Sequence, residues 1–300
     1  MHPHRQAVLC ALGAVLAWST VAAAFKYSLR WLTPVELLLV ASLSSLLVLA
    51  GVLAVQGRLG QLRRLPARDW LASAGYGFLN PFLYYLVLFE AYRRLPAQVA
   101  QPLNYAWPLV LVLLSALWLR QRLRLATLAA MGLSLAGIVL ISMQGEAAGS
   151  AGSDPAGSDP AGVALALAST LIWAGYWLAN SRDRQDAVLR LSANFACGTL
   201  FIALWWLAGS PRALPLPGVL GAAYVGVFEM GLTFVLWLSA LRLARNAAQV
   251  GGLVYLSPFL SLLFIHWVLG ETIRPATVAG LALIVGGVLL NQLAGRRAAP

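Results

Sequence analysis

The chain has 300 residues, of which 60% are hydrophobic and only 10% charged, with a mean hydropathy of +0.78 and a formal net charge of +11. So few charges cannot clothe a water-facing surface, which excludes a soluble enzyme, a disordered scaffold and a nucleic-acid-binding protein together. A helix needs about 20 apolar residues to cross a bilayer, so ten crossings take roughly 200 residues and leave only short connections.

Apolar runs broken by Arg, Pro, Gly and Asp predict ten spans, at 8–28, 33–56, 69–92, 97–119, 125–144, 161–180, 187–208, 217–241, 247–269 and 275–294. In the first, Arg5, an apolar run and Ala22-Ala23-Ala24 resemble a secretory signal with its cleavage site. Lys26 directly after the run, and a counterpart of Trp18 in the second half, favour an uncleaved helix. Between the fifth and sixth spans, residues 145–160 carry Ala-Gly-Ser-Asp-Pro twice in succession, a composition that buries no apolar area and reads as a flexible linker. The expected organisation is therefore a first five-helix repeat (1–144), a linker (145–160) and a second five-helix repeat (161–300).

Internal similarity supports that division. An offset of 150 carries Tyr105-Ala-Trp-Pro108 onto Tyr255-Leu-Ser-Pro258, Thr127 onto Thr277 and Gly137 onto Gly287, and with short slips Ala97-Gln98-Val99 matches Ala248-Gln249-Val250 and Trp18 matches Trp173. Five spans per half is an odd number, so the second half enters the membrane from the opposite side, giving inverted repeats. With the amino terminus inside, fifteen basic residues fall in inside segments and six outside. The positive-inside rule then places both termini in the cytoplasm and the linker outside. Twenty of the 21 basic residues are Arg, Lys26 being the exception.

The polar content of the spans is sparse and patterned. Helical spacing puts Tyr76, Asn80 and Tyr84 on one face of the third span, and Gln98, Gln101 and Tyr105 on one face of the fourth, followed by Trp107 and Pro108. Trp173, Tyr176, Trp177 and Asn180 make such a face in the sixth, and Gly252, Tyr255 and Phe259 in the ninth. A lone Tyr or Trp serves equally as interfacial belt or core packing, and Trp31, Trp70, Trp205 and Trp206, near span ends, read as belt. Stripes that combine rings with amides at mid-depth are expected to face inward, toward neighbours or a wet cavity. The candidate substrate wall comprises Trp18, Tyr76, Asn80, Tyr84, Gln98, Gln101, Tyr105, Trp107, Trp173, Tyr176, Trp177, Tyr224 and Tyr255. Pro102, Pro108 and Pro258 are expected to kink or open their helices. The pairs Gly132 with Ala136 and Ala282 with Gly286 suit close helix contact.

Charges inside the spans are few. Lys26 and Glu90 read as anchors that snorkel to an interface. Glu229, near the middle of the eighth span, is the candidate coupling residue, a proton carrier or a counter-charge for a cation, against the plainer reading of a carboxylate satisfied by Thr233 or another helix. His2, His4 and His266 are dispersed and Cys10 and Cys197 have no paired spacing, so no cofactor or metal site is expected. No Walker A sequence is present, so ATP hydrolysis is not expected. An embedded enzyme would need paired acids or a nucleophile with its base, and a nucleotide-sugar carrier would need buried Lys or Arg.

Ten helices as two inverted repeats, Leu-Gly-Glu-Thr (269–272) after the ninth span, and Gly-rich fifth and tenth spans resemble the drug/metabolite transporter superfamily in its EamA-type branch, over essentially the whole chain. Asn80-Pro-Phe-Leu-Tyr-Tyr85 and the aromatic richness most resemble the YddG-type exporters. That resemblance implies an all-helical transporter of the bacterial inner membrane. It would export aromatic amino acids or flat organic cations by alternating access, with proton-coupled multidrug efflux as the alternative. Partners would be the small solute and the lipid bilayer, with monomer or homodimer left open. Leu119-Arg-Gln-Arg122 departs from the pattern where a Gly-Glu is usual.

Overall fold

The computed structural model describes residues 3–118, 125–143, 159–180, 183, 185–209, 211–244 and 253–296. Ten helical rods cross the molecule: α1 (Pro3–Ser28), α2 (Pro34–Val55), α3 (Ala67–Arg94), α4 (Ala97–Trp118), α5 (Leu125–Ser142), α6 (Pro160–Asn180), α7 (Ala187–Ala208), α8 (Leu216–Leu243), α9 (Leu253–Leu269) and α10 (Pro275–Arg296). Their ends fall within a few residues of the predicted ones except at α9, whose expected start lies outside the described residues. The 22 residues of α2 are about 33 Å long at 1.5 Å per residue, enough to span hydrocarbon. Leu47, Leu71 and Leu125 are among the most exposed side chains, the inverse of a soluble protein and the pattern of a lipid-facing rim. Residues 145–158 of the expected linker, and Leu119 to Arg122, lie outside the described residues.

Local sequence sets the helix ends. Thr33-Pro34-Val35-Glu36 starts α2 with a capping box, in which the Glu36 amide donates to Thr33 Oγ1 at 3.4 Å and the Thr33 amide donates to Glu36 Oε2 at 2.7 Å. Glu36 also receives a two-pronged bond from Arg212, at 2.8 and 2.9 Å, tying α2 to the α7–α8 connection. Asp186 caps α7 by accepting from the Val188 and Leu189 amides. α9 ends at Gly270, whose φ of +72° is left-handed backbone that a side chain disfavours.

Packing follows a two-fold pattern. α1 packs on α8 and α9 as α6 packs on α3 and α4; α2 meets α8 as α7 meets α3; and α2–α7 and α5–α10 are paired with each other. Each relation maps onto its mate when every helix is exchanged for the one five places away. α3 and α8 are both interrupted at mid-length by a wide turn, at Phe78–Leu83 and Gly226–Gly231. Gly77 and Gly226, at the start of these turns, lie against backbone of α7 (Asn194) and α2 (Ala41). In lipid no hydrophobic force draws helices together, so such close backbone contact does.

The α5–α10 pair corrects one expectation. Gly132 faces open space and Gly286 has only a loose contact, while the seam runs through Ala130, Ser134 and Gly137 against Gly280, Ile284 and Gly287. The expected pairs sit one face away, because a four-residue spacing of small residues occurs on two faces of each helix. Ser134 donates to the Ile284 carbonyl at 3.0 Å. A Cβ on Gly137 would lie 2.5 Å from the Gly280 carbonyl oxygen and 3.0 Å from Leu283 and Ile284. Gly137→Ala is therefore expected to cost about 1–3 kcal/mol by overpacking, whereas Gly132→Ala costs nothing measurable. Thermal unfolding of the two purified variants checks this, and equal melting temperatures would refute the seam.

Trp31 and Trp205 are 43% and 58% exposed, as a belt requires, but Trp70 and Trp206 are half-buried and Trp206 packs on the core.

Candidate functional site

A cavity of about 380 Å³ lies between α1, α3, α4, α6, α8 and α9. Its wall is made of rings. α6 contributes Trp173 and Trp177, α1 Trp18 and Phe25, α3 Tyr84 and Tyr92, α4 Tyr105 and Trp107, α8 Phe234 and Trp237, and α9 Tyr255. Trp173 stands at the centre: it stacks on Tyr84 (centroids 4.5 Å apart) and Tyr176 (5.8 Å), and meets Trp177 and Trp107 edge to face at 5.8 and 6.5 Å. Trp18 contacts Trp237 and Phe234 at 5.5 and 6.0 Å on the opposite side.

The polar groups of the wall are Gln101, Asn104 and Glu229. Asn104 donates to Ser169 at 2.8 Å and accepts from the Tyr84 hydroxyl at 3.3 Å, which ties α4 to α6 and α3. Glu229 sits in the wide turn of α8. Its Oε1 accepts from the Tyr85 hydroxyl at 3.1 Å, and Oε2 has no partner among the described residues. Thr233, one expected partner of Glu229, instead donates to the Phe228 carbonyl freed by the turn. Glu229 is the only charged side chain among the described residues that line the cavity.

Nine of the fourteen expected residues reach this cavity: Trp18, Tyr84, Gln101, Tyr105, Trp107, Trp173, Trp177, Tyr255 and Glu229. Five lie elsewhere. Tyr76 donates to the Ala179 carbonyl and meets Tyr176 edge to face, beneath the Arg190 guanidinium at 5.9 Å. Asn80 is buried in the α3 turn, where it packs against α6 and α7. Tyr176 lines a smaller cavity of about 140 Å³ with Asn180, Asp183 and Arg190, next to the main one across Trp177 and Phe234. Gln98 is consumed by structure, donating to the Thr272 carbonyl and accepting from the Arg274 amide and Thr277 hydroxyl. Tyr224 is 36% exposed on the outer side of α8, bonded to Thr20 at 2.7 Å. In α3 the reason is a break at Asn80, whose φ of −147° and ψ of 115° are extended rather than helical, so helical spacing from Tyr76 no longer fixes the direction of residues beyond it. Tyr76 and Tyr84 thus leave the shared face that uniform spacing assigns them.

Sequence reasoning missed Val21, Ala22 and Phe25, spaced from Trp18 by helical turns, and Phe234, Trp237 and Leu241 on α8. That spacing was readable, but the apolar residues among them carry no polar mark to set them apart from core.

Next to Phe25 and Tyr92 of the wall stands a polar joint. The Lys26 ammonium donates to the Tyr92 and Leu95 carbonyls, both at 2.7 Å, at the end of α3. Glu271 accepts from the Ala97 and Gln98 amides at 2.9 and 3.1 Å, at the start of α4. A cation on carbonyls and a carboxylate on amides each suit the helix terminus they cap. Lys26 therefore points into the joint rather than out to the interface. Glu90 does stay near the surface, bridged to Arg93 and Arg94 at 2.6 and 2.8 Å.

A second joint is made of charges. Buried Arg190 bonds the Asp69 carbonyl and Ser73 hydroxyl and pairs with the Asp69 and Asp183 carboxylates at 3.3 and 2.5 Å. Asp186, outside the spans, meets Arg58 and Arg242 at 3.2 and 3.3 Å. Burial pushes its carboxyl up, but the Leu189 amide, Arg58 and Arg242 together hold it below the ordinary value.

Comparison with known proteins agrees with this architecture. The sequence pattern of the EamA-like transporter family matches residues 5–143 and again 160–293. The chain is 30% identical to the aromatic amino acid exporter YddG of Ancylobacter novellus, over 97% of this chain and 98% of that one. It is 27% identical to a probable terminal-alkyne amino-acid exporter of Streptantibioticus cattleyicolor, over 85% of each. A solved crystal structure with 27% identity superposes with a TM-score of 0.68, covering 99% of this chain and 100% of the other. Ten helices in an all-helical membrane bundle, matched over nearly their full length, place the chain in the EamA-like transporter family.

Proposed function

We propose that this protein exports small, flat aromatic solutes across the cytoplasmic membrane by alternating access between two inverted repeats, residues 1–144 and 161–300. The observation that carries the reading is the ring-walled cavity between the halves. A planar ring gains apolar burial and stacking there, about 0.5–1.5 kcal/mol for each well-placed aromatic pair. Phosphorylated sugars would find no cation among the described wall residues, so their charge would remain unpaired. The substrate-contacting residues are the eight aromatic and amide residues named above that reach the cavity. The named activity of the YddG exporter points the same way, and that of the probable terminal-alkyne amino-acid exporter supports export of an amino acid. In proteoliposomes the protein is expected to move radiolabelled phenylalanine, tryptophan or methyl viologen down their gradients and to leave a nucleotide sugar behind. Equal movement of all four, or of none, overturns the proposal.

Glu229 is the proposed coupling group, since its carboxylate reaches the cavity and can hold a proton. Glu229→Gln keeps the shape and cannot titrate, so it is expected to abolish the response of flux to a pH gradient while exchange at equal pH persists. Full pH-driven flux in that variant rejects coupling through this residue.

The orientation follows from the basic residues: termini and the Arg58 to Arg68 connection inside, residues 145–160 outside. Ser153→Cys, in a chain lacking Cys10 and Cys197, is expected to react with an impermeant thiol reagent on intact cells. Labelling only after lysis would reverse the topology.

A further inference from the structure

The established features of the cavity do not treat the two ends of an amino acid alike. We infer that the site selects aromatic amines, carried as ammonium ions without a carboxylate, over the corresponding amino acids, and that Glu229 makes the choice. This rests on the aromatic-solute reading above and narrows it.

An ammonium group has a partner waiting. Glu229 lines a cavity whose other walls are mostly rings; its Oε2 is buried beside that cavity with no hydrogen-bond partner among the described residues, while Oε1 is steadied by Tyr85. Indole and phenol faces around it add favourable cation–π contact. A carboxylate has no such welcome. No Lys, Arg or His is among the described lining residues, and Lys26 and Arg190, which adjoin lining residues, are committed elsewhere. Lys26 spends its ammonium on the Tyr92 and Leu95 carbonyls. Arg190, behind Trp177, is saturated by Asp69, Ser73 and Asp183. A carboxylate within this wall would lose its water for, at best, neutral donors, and would lie in the field of Glu229.

The test uses the full chain in nanodiscs, with displacement of radiolabelled tryptamine as the readout, so that leakage of free amine through lipid does not enter. The competitors share one ring: tryptamine, tryptophan methyl ester, 3-methylindole, tryptophan and indole-3-propionate. Tryptamine and the methyl ester are expected to bind at least about tenfold more tightly than tryptophan, the scale of a hydrogen bond to a charged partner, and indole-3-propionate most weakly. In Glu229→Gln the advantage of tryptamine over neutral 3-methylindole is expected to fall by about tenfold, leaving only what cation–π contact supplies. Tryptophan displacing as well as tryptamine overturns the inference and leaves the aromatic reading standing, as does a tryptamine advantage that is undiminished in Glu229→Gln. If no indole compound binds at all, the aromatic reading falls and this inference with it. The ligand series on the unaltered chain decides the point even where the variant does not fold.

Discussion

Trp173→Ala is expected to lower flux of aromatic solutes by about tenfold or more at equal protein abundance. The indole is 9% exposed and touches five other rings, Tyr84, Trp107, Trp177 and Phe234 of the wall and Tyr176 behind it. Its removal takes away one stacking face for the solute, about 0.5–1.5 kcal/mol, together with the apolar contact of the largest side chain in the wall. It also lets Tyr84 and Tyr176 move, since both stack on it. Trp→Ala in a packed core costs about 3–5 kcal/mol of stability, so abundance has to be read alongside flux. Trp173→Phe, which keeps a ring, is expected to retain part of the transport. Trp205→Ala, on the lipid-facing rim at 58% exposure, is expected to retain all of it. If Trp173→Ala moved tryptophan or viologen as fast as the parent per folded molecule, the ring wall would be packing alone.

The largest loss of folded protein is expected from Arg190→Ala. The guanidinium is 6% exposed and holds two carboxylates, Asp69 at 15% and Asp183 at 9% exposure, from the start of α3 and the α6–α7 connection. Removing the cation leaves two acids facing one another with little water, a change worth about 3–5 kcal/mol when a buried pair is broken on one side. Arg190→Lys is expected to recover only part, because an ammonium cannot satisfy Asp69, Ser73 and Asp183 from one planar fork. Arg58→Ala is the contrast. Its pair with Asp186 is partly exposed, at 27% and 25%, and a pair of that kind is worth about 0–1 kcal/mol. Fluorescence-detected size exclusion after a heating series separates these outcomes; Arg190→Ala melting with Arg58→Ala would show that the buried node carries no special weight.

Of the three charges that sequence placed inside the spans, Glu90 stayed near the surface and the other two met different fates. Glu229 lies in the cavity wall. Lys26 became a cap, and the Glu of Leu-Gly-Glu-Thr, carried in the sequence only as a mark of resemblance, proved to be the matching cap on α4. Neither could be seen beforehand, since each satisfies helix ends about 65 to 175 residues away in the chain.

The sequence by itself determined the ten spans, because crossing hydrocarbon is a local demand that each 20-residue stretch must meet on its own composition. It also determined the helix caps at Thr33 and Gly270 and part of the ring-rich stripes of α4 and α6, of which Gln101, Tyr105, Trp173 and Trp177 reach the cavity while Gln98 and Tyr176 do not. The tertiary structure decided which stripe residues face the cavity. A break at Asn80, whose backbone is extended rather than helical, ends the uniform spacing of α3, so Tyr76 and Asn80 part from Tyr84. It decided equally which small residues meet between α5 and α10, and that Arg190, one of many loop-flanking arginines in the sequence, is buried between two acids. Periodicity reports a face only while the turn stays constant, and a partner distant in sequence leaves no mark in the local pattern of either residue.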